Sequence, residues 1–169
     1  MTTPGSIPPS RPSTGNPVAR AHAEWKGGLL FEAGVGGRTQ VIDGNSKEAP
    51  SPVETFLASI GTCAASDVVE ILAKQRTPIE RLLIDVIGVR RADYPRRVMS
   101  LELMLTIDGK GIERDKAERA MALSIEKYCT VAASLAGDIE LTTVINLNGD
   151  QGAPVQHAMF SATFPPSDR

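Results

Sequence analysis

Cys63 and Cys129 are the only cysteines of this chain, and each stands in a run with helical spacing, SPVETFLASIGTCAASDVVEIL and ERAMALSIEKYCTVAASL. Two such thiols either react as a unit, through a transient disulfide, or pack as two small buried hydrophobes. The reactive form is the thiolate. At an ordinary pKa near 8.5 only a few per cent is ionised at neutral pH, and a pKa near about 6 would raise that fraction roughly tenfold. A disulfide also needs Cα atoms about 4.4–6.8 Å apart, which two crossing helices can supply.

Helical rotation of about 100° per residue sorts the neighbours of Cys63. Phe56, Ile60, Asp67 and Glu70 share its face, whereas Glu54 lies on the opposite side. A carboxylate at Asp67, one turn beyond Cys63, opposes ionisation of the thiol, so a reactive Cys63 requires a cation nearby. Arg38 and Arg20 are the candidates, with Lys26 third. Glu54 has a structural role open to it: Ser51-Pro52-Val53-Glu54 combines an N-cap serine, proline at the first helical position and a capping-box carboxylate.

The elements that must position these residues follow from periodicity and turn chemistry. Arg20 to Glu32 and Arg38 to Asp43 read as short strands interrupted by Gly27-Gly28 and by Gly34, Gly36 and Gly37. From Ser51 a long helix is expected to run to about Gln75, because Phe56, Leu57, Ile60, Ala64, Val68, Ile71 and Leu72 recur at helical spacing until Thr77-Pro78. Glu80 to Arg91 and Arg97 to Ile107 form a hairpin, the second strand alternating through Leu101, Leu103, Leu105 and Ile107. A second helix is expected over Arg114 to Leu135 with a bend near Tyr128, then a strand over Ile139 to Leu147. The order β-β-β-α-β-β-α-β implies an α+β fold with a mainly antiparallel sheet and two packed helices.

Around a domain spanning 18–148, Met1 to Pro17 reads as a disordered proline-rich arm, and 149–169 as a tail that is partly ordered at most. The chain of 169 residues is long enough for one core without disulfide staples or structural metal. A formal charge of −2 gives no field that selects nucleic acid or an anionic membrane. No secretory leader and no run of 18 apolar residues is evident, so a cytoplasmic protein is expected. No cofactor and no metal are called for: His22 and His157 are far apart and show no ligand spacing. Arg90, Arg91, Arg96 and Arg97 bracket the hairpin tip and read as a solvated end. Met121 and Ile125, on the helical face of Cys129, read as core.

The segment DGNSKEAPSPVETFLASIGTCAASDVVEIL, followed by SIEKYCTVAASL, resembles the osmotically inducible protein C and organic hydroperoxide resistance (OsmC/Ohr) family. It is most similar to the YhfA-like branch, where SPxExxLxxxGxCxxxDVVxIL pairs with a later SxEKYCSVxxxL. The similarity covers roughly Trp25 to Asn148. The resemblance implies an intertwined homodimer, each subunit with a curved, mainly antiparallel sheet around a long central helix, and active sites at the subunit interface. It also implies thiol-dependent reduction of organic hydroperoxides in oxidative stress protection. Carried over, Cys63 becomes a sulfenic acid and Cys129 condenses with it to a disulfide that a dithiol reductant opens. At one position the chain departs from the peroxidases, which commonly read Pro-Glu-Glu or Pro-Glu-Gln, the first Glu orienting an arginine. Here Pro52 precedes Val53, and Glu54 matches only the second position. That leaves a second expectation: a non-catalytic dimer of the same fold that binds a small ligand or senses oxidants.

Overall fold

The structure is a computed structural model, and it describes residues 19–77 and 79–159. The proline-rich arm over 1–17, Pro78 and the last ten positions of the tail lie outside the described residues. The chain divides between Pro52 and Val53 into two compact units.

The first unit is a three-stranded antiparallel sheet of β1 (His22–Gly27), β2 (Leu30–Val35) and β3 (Arg38–Asp43), in that order. Its second turn is the two-residue Gly36-Gly37 loop between the paired Val35 and Arg38. Both glycines have positive φ, 58° and 76°, the conformation that lets a two-residue hairpin follow the twist of its strands. At the end of β3 the buried carboxylate of Asp43 accepts the backbone N–H groups of Asn45, Lys47 and Glu48 at 2.9–3.0 Å. These bonds hold its pKa below the ordinary carboxylate value. They also fold the DGNS turn that leads towards the long helix.

All of α1 (Pro52–Lys74) but its first residue lies in the second unit, and proline does stand at the first helical position. Ile60, Ala64, Val68 and Leu72, spaced every four residues, are wholly buried. β4 (Arg81–Arg90) and β5 (Val98–Asp108) form the expected hairpin, and β5 presents Leu101, Leu103, Leu105 and Ile107 to the core. Helix and sheet approach closely at Gly61, where a Cβ would stand 2.8 Å from Cγ2 of Val86. Next come α2 (Arg114–Leu123), a π-helical turn over Ser124–Tyr128, the short α3 (Thr130–Ala133) and β6 (Glu140–Leu147). β6 lies parallel to β5, the one parallel pair in an otherwise antiparallel sheet.

Two findings go beyond the sequence reading. The three N-terminal strands make a sheet of their own rather than extending the second one. Beyond Asn148, β7 (Asp150–Gln151) and β8 (Val155–His157) pair with β6, and His157 is buried there with Nε2 2.8 Å from Oγ1 of Thr143.

Candidate active site at the paired cysteines

Cys63 lies midway along α1 and is half-buried, while Cys129 is 1% exposed. Both are free thiols; Cys63 packs against the core cluster that holds Cys129, near enough for the Cys129 thiol to feel it. The two cysteines, remote in sequence, are thus neighbours in the fold.

Cys129 reaches this place through a break in the second helix, where the helix expected over 114–135 was to bend near Tyr128. After α2 the backbone widens into the π turn, and the N–H of Cys129 donates to the carbonyl of Ser124, five residues back, at 2.8 Å. Cys129 itself is extended, with φ −69° and ψ 99°. It caps α3, its sulfur accepting from the N–H of Ala132 at 3.4 Å. The bend expected near Tyr128 is thus a helix end, one residue later, at the cysteine.

Burial pushes the Cys129 thiol up to about 12; the Ala132 N–H opposes this, and the neighbouring Cys63 adds to it. At neutral pH Cys129 stays protonated. Asp67, one turn beyond Cys63, is half-buried, and its carboxyl pKa is raised mainly by burial and by the charge of Glu70. The hydroxyl of Ser124, wholly buried, donates to Oδ2 of Asp67 at 2.8 Å and lowers that pKa in part. Ser124 is the residue that sequence reasoning overlooked. It stands in SIEKYC, five residues before the cysteine, but its partner is on another helix.

Glu54 lines a cavity of about 300 Å³ with Leu57, Gly61 and Thr62 of α1 and Ile84 and Val86 of β4, away from the cysteine face. Arg20 and Arg38 belong to the first unit, and both are exposed. Lys26 is held between Glu24, at 2.8 Å, and Glu32, at 3.2 Å. Met121 and Ile125 are core, 1% and 2% exposed. At the hairpin tip Arg97 pairs with both oxygens of Asp138, and the Arg96 guanidinium lies 4.8 Å from the Tyr94 ring.

Comparison with known proteins agrees with this fold. Residues 44–144 match the pattern of the OsmC-like proteins, a span that holds both cysteines. Protein YhfA of Escherichia coli K12 is 35% identical over 125 residues, 73% of this chain and 93% of its own. A hypothetical protein from Aquifex aeolicus VF5 superimposes with a TM-score of 0.68 at 26% identity, over 78% of this chain and 98% of its own. The organic hydroperoxide resistance protein OhrB of Bacillus subtilis, at 16% identity, has a TM-score of 0.53 over 76% of this chain and 97% of its own; that likeness establishes the fold.

Proposed function

The chain belongs to the OsmC-like protein family, and from that premise we propose that it reduces organic hydroperoxides at the Cys63/Cys129 pair as part of oxidative stress protection. The observation that carries the reading is the adjacency of a half-buried thiol and a fully buried one that stays protonated. Cys63, the more accessible sulfur, is the attacking residue. Its thiolate attacks the distal oxygen of the hydroperoxide; an S–O bond forms to give the sulfenic acid as the O–O bond breaks, and the alkoxide leaves and takes up a proton as the alcohol. The sulfur of Cys129 then attacks the Cys63 sulfenic acid. A disulfide forms, and the displaced hydroxide leaves as water with the Cys129 proton. Two exchanges with a dithiol reductant return both thiols.

The thiolate needs a cation, and Arg38 or Arg20 is assigned to supply it; Arg38→Ala or Arg20→Ala should slow the first oxidation by roughly tenfold. The active form is a homodimer. Trp25 is 65% and Val41 53% exposed in the first sheet, and only a third of the apolar window of α1 is buried within the chain. Such apolar surface calls for a partner, and a second copy is the family's answer. Light scattering should give twice the chain mass of 18.0 kDa, and a monomer at micromolar concentration would remove the dimer.

The test of the activity is intact mass after stoichiometric alkyl hydroperoxide, with and without dithiol. Loss of two hydrogen atoms, restored by dithiol over many cycles, is expected. One observation favours a second reading, a non-catalytic dimer that binds a ligand or senses oxidants: Val53 stands where the peroxidases carry an arginine-orienting Glu, and Glu54 faces the cavity on the far side of α1. Disulfide formation without turnover would select it.

A further inference from the structure

We propose that Asp67 and Ser124 form a positioning pair that sets the separation of the two sulfurs, an inference that rests on reading Cys63 and Cys129 as a redox couple. Four residues close a ring. Cys63 and Asp67 stand one turn apart on α1. The Ser124 hydroxyl donates to Asp67 at 2.8 Å and lies 3.4 Å from the carbonyl of Ala64, the residue next to Cys63. The Ser124 carbonyl accepts the N–H of Cys129, and Cys63 packs against the core cluster to which Cys129 belongs.

Among the described residues of this ring, the polar links from α1 to the π turn are those of one hydroxyl. The π turn is an unusual geometry, one extra residue in the i→i−4 ladder, and it fixes where the next residue points. Ser124 is anchored at both ends of its own short side chain and backbone, with no exposed surface. Its hydroxyl decides how far the turn stands from α1, and hence how far Cys129 stands from Cys63. A displacement of about 1 Å between reacting atoms costs on the order of a hundredfold in an intramolecular step. Neither Asp67 nor Ser124 touches the oxidant in this scheme; both act through the cysteines.

The measurement is the effective concentration of the Cys63/Cys129 disulfide against dithiothreitol. In that equilibrium the protein passes two protons and two electrons to oxidised dithiothreitol, whose S–S bond opens as the protein's own closes. It needs no peroxide. Ser124→Ala and Asp67→Ala are expected to lower the effective concentration by about tenfold or more. Asp67→Asn keeps an oxygen that accepts from the hydroxyl, and is expected to restore it to within about threefold of the parent. Thermal unfolding of each reduced variant separates folding from positioning.

Equal effective concentrations in Ser124→Ala and the parent overturn the pair, whatever happens to melting temperature. A loss in Asp67→Asn as large as in Asp67→Ala also overturns it, because the argument needs the hydrogen bond and not the charge. A parent that closes its disulfide against dithiothreitol yet never consumes alkyl hydroperoxide overturns the peroxidase reading and leaves the pair standing.

Discussion

Burial of Cys129 has a consequence at the level of a single sulfur. A thiol held up to about 12 is neither alkylated nor oxidised first at neutral pH, so the order of events is imposed by the environment. Iodoacetamide should label Cys63 well before Cys129 between about pH 7 and 10, as read by peptide mass mapping. Labelling of Cys129 first would contradict the assignment. Cys129→Ser should leave the first oxidation of Cys63 intact and reduce steady-state turnover by about two orders of magnitude, with the sulfenic acid trapped chemically. Asp67 makes stability depend on pH. Its folded pKa is raised, so the stability it contributes is full below the unfolded value and is lost as pH rises through the folded value. Asp67→Asn should therefore melt no lower than the parent at pH 7, with the difference fading towards acid. The cysteines were legible because the chain has only two and both lie in patterned runs. Ser124 was not, because a serine in a helical run gives no sign of a partner 57 positions back.

At the scale of elements, local chemistry and periodicity carry most of the fold. Proline at the first helical position opens α1, and one apolar residue every fourth position tells which face is buried. Alternation in β5 does the same for the sheet. The π turn escaped because it adds a residue to the helix without changing composition; only the contact between Ser124 and α1 selects it over a continuous α-helix. The separate N-terminal sheet escaped for a related reason, since strand periodicity reports pairing faces and not which strands share a sheet. Gly61 shows how tightly α1 and β4 are matched. Alanine favours a helix over glycine by about 1 kcal/mol, yet its Cβ would stand 2.8 Å from a methyl of Val86, whose branched side chain has little rotamer freedom. The clash should win, with Gly61→Ala losing about 1–3 kcal/mol in urea unfolding. Adding Val86→Ala, which removes the opposing methyl, should recover part of that loss. A stabilised Gly61→Ala single variant would show that helix and sheet simply move apart.

For the whole molecule, the segment after Asn148 bears on how stability depends on pH. Its sequence, rich in Pro and Gly, pointed to partial order at most; what could not be read was that β8 adds to the edge of β6 and buries a histidine. Thr143 faces Nε2 of that ring, and Glu126 of the π turn stands 3.6 Å from Nδ1. Burial lowers the His157 pKa below 6.5, while the Glu126 carboxylate acts the other way. Because the folded value is depressed, the unfolded chain takes up its proton first as pH falls. Stability linked to this ring is complete above about pH 6.5 and is lost between there and the lower folded value. The melting temperature should accordingly fall on going from about pH 7.5 to 5.5, and His157→Gln, which cannot titrate in that range, should flatten the slope. Glu126→Gln removes the opposing charge and should steepen it. A slope unchanged in both variants would mean that β8 leaves β6 before the ring is protonated, and the docking of this segment would then be decoupled from global unfolding.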